Sequence, residues 1–310
     1  MYTLQVKPQD PAYPSKEIAM HHTALALGLA FSLSTGAAPQ PGGPEPVAII
    51  HYQLNEKLVY LPVRVNGSGP LWFTVDTGAR HCVIDSAAAR RLKLSIVSND
   101  RTTGVGKGSI EMLHAAPSTV AVGAAKLHVA DPWVIDLSTT GGRHLDGLIG
   151  EDFFAAYVVR IDPLRQTIAF YDPRTYRYAG SGSAIELSAI DQRLFIPMRL
   201  ALSKNNSAIH KVRIDTGSND AVGDLLVRQS SERRMTRQGV GLGSSYLDYS
   251  GVFQSVQIGK YVITHSWGPA DPQATVGMEI LRRFTMIFDV PHGRLYLEPN
   301  AHLHDPVPAP

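Results

Sequence analysis

The tripeptide Asp-Thr-Gly occurs twice in the chain, as "VDTGA" at residues 75–79 and as "IDTGS" at residues 214–218. Each copy directly follows a run of apolar residues that predicts a β-strand. A single Asp-Thr-Gly is typical of an ordinary turn, because Asp and Gly both favour turn conformations. Two copies in the same setting indicate something more specific than a turn.

Further landmarks recur around the two copies in the same order. A glycine-rich hexapeptide follows each aspartate, as "GVGKGS" at 104–109 and "GVGLGS" at 239–244. The segment "GLIGEDFFAAYVVRID" (147–162) likewise matches "ATVGMEILRRFTMIFD" (274–289). Such repetition is the pattern of a duplicated structural unit. We therefore predict two lobes, at 46–173 and 190–300, joined by a linker at 174–189 and followed by a tail at 301–310.

The chain beyond residue 45 consists mainly of short runs of Val, Ile, Leu, Phe and Tyr separated by Gly, Pro, Asn and Asp, which predicts strands and turns. The segments 85–94, 150–158, 223–234 and 277–284 have the length and spacing of short helices. We expect an all-β protein of two pseudo-symmetric β-barrel lobes with short helices. One lobe alone would leave an apolar face open, so the two should pack on each other about a pseudo-two-fold axis.

Composition excludes several classes of partner. A net charge of +2 without a run of Lys or Arg gives no basic patch for nucleic acid. The single cysteine and the scattered histidines do not form a metal-ligand pattern, so we predict no metal and no cofactor.

The first 45 residues have a different character. The stretch "TALALGLAFSLSTGAA" (23–38) is uncharged and apolar and leads into the Pro- and Gly-rich "PQPGGPEP". This layout predicts a signal peptide and a flexible leader at 1–45, with export to the periplasm or the medium. Its apolar core is too short for a stable membrane span. If the segment is not a signal, the protein would be cytoplasmic.

A pseudo-two-fold axis brings equivalent residues together, so Asp76 and Asp215 are predicted to face each other. Two adjacent carboxylates cannot both ionise cheaply and share one proton. One can then act as a base toward water and the other as an acid toward a carbonyl oxygen. The neighbours predicted to support this pair are Thr77, Gly78 and Ala79 in the first copy and Thr216, Gly217 and Ser218 in the second.

These motifs resemble those of the aspartic peptidases, and most of all the retropepsin-like branch of bacteria and retroviruses. The resemblance extends from about residue 58 to 298 and rests on the Asp-Thr-Gly, the glycine-rich segment and the later apolar-apolar-Gly before a helix, each present twice. It implies a single-chain version of an enzyme that retroviruses assemble from two subunits. The glycine-rich segments would be flaps that bind substrate: Gly104, Val105, Gly106, Lys107 and Gly108, with Gly239, Val240, Gly241, Leu242 and Gly243.

The resemblance implies an aspartic endopeptidase that acts on a peptide or protein substrate, and we expect a monomer because both lobes lie in one chain. Two alternatives of other classes are a catalytically silent peptide-binding module and a structural scaffold that keeps the same fold.

Two finer expectations concern charges near the predicted dyad. Retroviral members usually carry an acidic residue and an arginine where this chain has Arg80 and Glu151, so we expect these two to form a charge-exchanged pair beside the peptide-binding groove. We also expect the hydroxyl of Ser218 to donate to Asp215 and so to place the shared proton on Asp76, since Ala79 offers no such donor.

Overall fold

The computed structural model describes residues 44–104, 106–140, 144–239 and 242–309. The helices of the first half are α1 (Ser86–Arg91) and α2 (Glu151–Ala156). The strands of the first half are β1 (Ala48–His51), β2 (Gln53–Asn55), β3 (Leu58–Val65), β4 (Leu71–Val75), β5 (Val83–Asp85), β6 (Ile96–Thr102), β7 (Ile110–Ala115), β8 (Ser118–Val122), β9 (Ala125–Val129), β10 (Trp133–Ile135), β11 (Gly147–Ile149), β12 (Val158–Asp162) and β13 (Thr167–Tyr171).

The second half is also built mainly from strands. They are β14 (Ser183–Glu186), β15 (Ser188–Ile190), β16 (Arg193–Ser203), β17 (Asn206–Ile214), β18 (Val222–Gly223), β19 (Arg233–Gln238), β20 (Tyr246–Ile258), β21 (Tyr261–Pro269), β22 (Thr275–Val276), β23 (Phe284–Asp289) and β24 (Arg294–Pro299). The helix α3 spans Met278–Leu281, and 3₁₀ helices span Leu225–Gln229 and Val290–His292. The predicted all-β class is confirmed.

The first lobe is formed by one large sheet with the strand order β6-β7-β10-β5-β11-β4-β3-β8-β9, to which β2 adds through β3. The turn between β3 and β4 passes through Asn66 and Gly67, which both have positive φ angles (51° and 74°). Asn and Gly are the residues that tolerate this conformation best, so the sequence itself specifies the hairpin. Strand β4 is antiparallel to β3 but parallel to β11.

The second lobe repeats the arrangement that matters for the site. Its sheet has the order β18-β22-β17-β16-β20-β19, with β15 and β21 attached to β16 and β20. Strand β17 is antiparallel to β16 and parallel to β22, as β4 is to β3 and β11. Each Asp-Thr-Gly therefore follows a strand that has a parallel neighbour.

A third sheet, of order β1-β13-β12-β23-β24-β14, takes strands from both lobes. At its centre β12 pairs with β23, with Val159 opposite Phe288. The rings of Phe154 and Phe288 pack edge to face at 5.1 Å between centroids. Apolar contact and main-chain hydrogen bonds thus join the two halves into one core.

The range 174–189, predicted as a linker, contains β14 and the start of β15. Strand β14 pairs with β24, and its residue Ile185 is buried opposite Leu295. The alternating apolar residues of this segment therefore extend the shared sheet.

Three of the four predicted helical segments contain α-helices, α1, α2 and α3. The segment 223–234 forms only the 3₁₀ helix and then enters β19. Asp224 caps that short helix by accepting a hydrogen bond from the Leu226 N–H at 2.7 Å, but Ser230 ends it in an extended conformation.

The predicted signal peptide lies almost entirely in residues 1–43, outside the described ranges. Within the described ranges, none of the helices has the length and hydropathy needed to cross a bilayer.

Candidate active site

Asp76 and Asp215 leave their strands in the same way. The N–H of Asp76 donates to Ile149 O of the parallel strand β11, and the N–H of Asp215 donates to Val276 O of β22, both at 2.9 Å. A parallel neighbour that accepts this hydrogen bond holds the start of each turn against the sheet. The two aspartates are therefore fixed at the ends of central strands rather than on free loops.

The threonines of the two turns cross-link the lobes. The Thr77 N–H donates to Thr216 Oγ1 (3.0 Å), and the Thr77 hydroxyl donates to Ile214 O (2.8 Å). In return the Thr216 N–H donates to Thr77 Oγ1 (3.1 Å), and its hydroxyl donates to Val75 O (2.9 Å). Both threonines are fully buried. Buried hydroxyls whose hydrogen bonds are all made hold one geometry, so this reciprocal set fixes one turn against the other.

The glycines of the two turns let the carboxyl groups approach. A β-carbon placed on Gly78 would lie 2.7 Å from Oδ2 of Asp215, and one placed on Gly217 would lie 2.5 Å from Cγ of Asp76. Contacts of this length do not occur with real β-carbons, so only glycine fits at either position. Each carboxyl thus lies over the glycine of the opposite turn, and Asp76 and Asp215 enter one site from two lobes.

The Asp76 carboxyl accepts two main-chain hydrogen bonds on Oδ1, from the N–H of Gly78 (2.8 Å) and the N–H of Ala79 (3.2 Å). These donors favour the ionised form, but burial and then the negative charge of Asp215 outweigh them and raise the pKa of Asp76 to about 7. Below neutral pH the proton shared by the two carboxylates therefore resides on Asp76.

Asp215 has a different set of partners. Its Oδ1 accepts the N–H of Gly217 (3.1 Å), and its Oδ2 forms an ion pair with Nη2 of Arg213 (3.1 Å). Both side chains of the pair are largely buried, and Arg213 also donates to Gln273 Oε1 at 3.2 Å. Among the described residues Asp76 has no such ion pair, so the surroundings of the two carboxyl groups differ.

Sequence reasoning missed Arg213. A signal was present, because residues two apart on a strand share a face and Arg213 is two residues before Asp215. The equivalent residue of the first lobe is Thr74, which is buried and donates to Val59 O.

The expectation for Ser218 is wrong. Its hydroxyl donates to Asp220 Oδ2 (3.4 Å) and accepts the N–H of Asp220 (3.1 Å), while its own N–H donates to the main-chain oxygen of Asp215 (3.2 Å). A serine in a turn often bonds the backbone two residues ahead, and this local bond directs the hydroxyl away from the Asp215 carboxylate. The donor that the expectation assigned to Ser218 is the guanidinium of Arg213.

The expected pair of Arg80 and Glu151 is also wrong, since among the described residues no ion pair joins them. Glu151 is buried, and burial followed by the charge of Asp152 raises its pKa. The adjacent Asp152 contacts the turn after Asp76 instead, pairing with His81 Nδ1 (3.2 Å) and accepting the N–H of Cys82 (2.6 Å). The hydrogen bond from Asp152 raises the pKa of His81.

In the second lobe, Asn219 and Met278 occupy the positions of Arg80 and Glu151, and their side chains carry no charges that could pair. Met278 is buried, whereas Asn219 binds residues of the first lobe. Lys57 donates to Asn219 through its N–H (3.2 Å) and its Nζ (3.1 Å), and it forms an ion pair with Glu279 at 2.8 Å.

Both predicted flaps are hairpins, formed by β6 with β7 and by β19 with β20. Their tips pair with each other. The N–H of Lys107 donates to Ser244 O (2.8 Å), the N–H of Ser244 donates to Lys107 O (2.9 Å), and the N–H of Gly106 donates to Leu242 O (2.8 Å). The Leu242 side chain packs on an apolar cluster of the first lobe. The two flaps together form a bridge between the lobes.

Several flap glycines are required by this bridge. Gly108, Gly239 and Gly243 have φ angles of +88°, +65° and +99°. A β-carbon on Gly104 would lie 2.4 Å from Cβ of Leu242, and one on Gly106 would lie 2.6 Å from the carbonyl carbon of Gly243. The predicted flap residues Val105, Val240 and Gly241 lie outside the described residues.

Comparison with known proteins gives one family match and a likeness in fold. Residues 61–153 match the model of the aspartyl protease family. The fold is similar to that of the aspartic proteinase from Irpex lacteus, with a TM-score of 0.50 and 13% sequence identity over 83% of this chain and 98% of that chain. At this identity the likeness concerns the fold alone. No curated protein sequence matches the chain.

Proposed function

We propose that this chain, which belongs to the aspartic peptidases by its sequence and fold, is an endopeptidase that uses Asp76 and Asp215 as its catalytic dyad. The observation that supports the proposal most directly is the crossing of the two turns. Each carboxyl lies over the opposite glycine, and the charge of Asp215 helps to raise the pKa of Asp76 to about 7. A pair that holds one proton is the requirement for concerted acid and base catalysis.

The asymmetry of the pair assigns the two roles. Asp76, which keeps the shared proton below neutral pH, donates it to the carbonyl oxygen of the scissile peptide. Asp215, paired with Arg213, accepts a proton from the attacking water. Water then adds to the carbonyl carbon without a covalent enzyme intermediate, and the C–N bond breaks when the amine nitrogen is protonated.

The flap bridge fits the same reaction. Its backbone groups near Gly106 and Gly243 can bind an extended peptide by main-chain hydrogen bonds, as a strand binds a sheet edge. The three hydrogen bonds between the tips must open to admit a substrate, at about 0.5–1.5 kcal/mol each. After closure the bridge would exclude bulk water from the dyad.

Purified full-length protein should be incubated with an unbiased peptide library at several pH values, and products should be identified by mass spectrometry. We expect cleavage at internal bonds and inhibition by a statine-type transition-state analogue. Asp76→Asn and Asp215→Asn should each lower kcat/KM by about 10²–10⁴-fold, because each removes one partner of the proton transfer. The double variant should be little worse than either single variant, since the two act as a unit.

Asp136→Asn is the matched control, because Asp136 is an exposed aspartate outside the two turns. Its activity should equal that of the wild type. Substantial cleavage by Asp215→Asn would contradict the two-carboxylate mechanism. Binding of peptides without cleavage by a folded wild type would favour a silent binding module instead.

A further inference from the structure

The two lobes exchange a second pair of contacts, on either side of the dyad, through the short hairpins β2–β3 and β15–β16. The strand register shows that the two hairpins are equivalent. In the first lobe Tyr60 of β3 lies opposite Thr74, and in the second lobe Phe195 of β16 lies opposite Arg213. Thr74 and Arg213 each precede the aspartate of their own lobe by two residues. Each hairpin turn therefore has the same position, by strand register, relative to the aspartate of its own lobe. Their contacts with the opposite lobe can be compared directly.

On one side of the dyad, the charged side chains of the contact are paired with each other. The turn of β2–β3 carries Glu56 and Lys57, which bind Asn219 of the second lobe. The ammonium of Lys57 is neutralised by the buried Glu279 at 2.8 Å. This side presents no free cation to a ligand.

On the other side of the dyad, the arginine side chains of the contact have no carboxylate partner among the described residues. The turn of β15–β16 passes through Asp191 and Gln192 and leads into Arg193. The positive charge of Arg80, the residue equivalent to Asn219, acts on Arg193. The Nε atoms of Arg80 and Arg193 are buried without a hydrogen-bond partner, and among the described residues neither guanidinium has an ion pair. The pKa of Arg193 is lowered by burial first and then by the positive charges of Arg80 and Arg213.

The carboxylates near this group do not neutralise it. Asp191 and Asp215 act on Arg193 in the favourable direction, but Asp191 is exposed and Asp215 is already paired with Arg213. Among the described residues, Arg80 and Arg193 are half-buried, each has a buried Nε without a hydrogen-bond partner, and neither forms an ion pair. Such an arrangement is costly unless an anion is bound there, and planar guanidinium groups bind carboxylates in two-point contacts.

We propose that Arg80 and Arg193 form a subsite for a carboxylate of the substrate, an inference that rests on the proposed function. Arg80 follows Asp76 by four residues and the charge of Asp215 acts on Arg193, so the subsite lies near the dyad. The opposite side has no such charge, so the preference for an acidic group applies to one side of the scissile bond only. The carboxylate is either an Asp or Glu side chain within the peptide or a free C-terminus.

The test uses peptide pairs that differ only by Glu or Gln at each position around one cleavage site, each made with an amidated and with a free C-terminus. We expect the wild type to prefer Glu at one position by about 10–100-fold in kcat/KM, as for a charge-assisted hydrogen bond. Arg193→Met and Arg80→Gln should each reduce this ratio toward one. Arg193→Glu should abolish the preference, because the new carboxylate would pair with Arg80.

Arg199→Met is the matched control, since Arg199 is an exposed arginine six residues further along β16, about 20 Å from Arg193. It should keep both the activity and the preference of the wild type. Thermal unfolding of each variant separates a lost subsite from a lost fold. A higher kcat/KM for free than for amidated C-termini, with no difference between Glu and Gln, would assign the subsite to the terminal carboxylate.

Equal kcat/KM for Glu and Gln peptides at every position, together with equal kcat/KM for free and amidated C-termini, would overturn the proposal. A preference that survives in both Arg193→Met and Arg80→Gln would overturn it as well. Failure of the proposed function gives a different result, because then no peptide is cleaved. The affinities of non-cleavable reduced-amide peptides carrying Glu or Gln would still decide the subsite, and equal affinities would refute it.

Discussion

Asp76 provides a prediction about stability that does not depend on any activity. Its carboxyl has a raised pKa in the folded protein, about 7 against an ordinary value near 3.9. At pH 3.5 and below it is protonated in both the folded and the unfolded chain. Between pH 4 and 7 the unfolded chain loses the proton while the folded chain keeps it, so stability falls as the pH rises toward the folded value.

Asp76→Asn removes this loss, because the amide is neutral at every pH and its Oδ1 can still accept the hydrogen bonds from Gly78 and Ala79. A shift of about 3 units at about 1.4 kcal/mol per unit corresponds to an upper limit on the order of 4 kcal/mol. The variant and the wild type should therefore be equally stable at pH 3.5. At pH 8 the variant should be more stable by up to this amount.

Urea unfolding of both proteins at pH 3.5, 5, 6.5 and 8 measures the difference, provided that the m-values agree. All other titrating groups are common to the two proteins and cancel to first order. Asp136→Asn is the control, because the pKa of Asp136 is shifted in the opposite direction: the hydroxyl and the N–H of Ser138 lower it. This variant should therefore not gain stability at high pH. A stability difference for Asp76→Asn that is constant with pH, or a wild type that is the more stable protein at pH 8, would refute the reasoning.

Two other predictions test the crossed turns and the ion pair beside them. Gly217→Ala should lower kcat/KM by about 100-fold and destabilise the fold by about 1–3 kcal/mol, because its β-carbon displaces the Asp76 carboxyl. Gly69→Ala is the control: no atom lies within 4 Å of its β-carbon, so it should change neither activity nor Tm. Wild-type activity in Gly217→Ala would contradict the crossing. Arg213→Met removes a cation that lowers the pKa of Asp76, so the alkaline limb of the kcat/KM profile should move to higher pH by on the order of 1 unit. An unmoved limb would show that this charge does not act on the dyad.

The fold was predictable from the sequence where local chemistry and repetition agree. The strand runs, the Asn66-Gly67 turn and three of the four helices follow from patterns that act within a few residues. The segment 223–234 was predicted less well, since its helical spacing competes with the pairing of β19 along β20. A neighbouring strand offers more hydrogen bonds than one turn of helix, and a pattern within one segment contains no information about that neighbour.

Charge partners were the hardest feature to predict. The positions of Arg80 and Glu151 in the sequence suggested a pair. The carboxylate of α2 that faces the turn is instead that of the next residue, Asp152. Ser218 was likewise assigned by proximity to a carboxylate that its hydroxyl does not reach. Hydrogen-bond geometry has tolerances of tenths of an ångström, which residue spacing does not specify.

The sequence by itself determined the two Asp-Thr-Gly turns, the glycine-rich hairpins and the order in which both recur, because these depend on residue type and local conformation. The tertiary structure decided how the two turns meet. The reciprocal bonds of Thr77 and Thr216 and the approach of each carboxyl to the opposite glycine join segments that are far apart in sequence. The ion pair of Arg213 with Asp215 is local, whereas the burial and the charge of Asp215 that raise the pKa of Asp76 come from long-range packing.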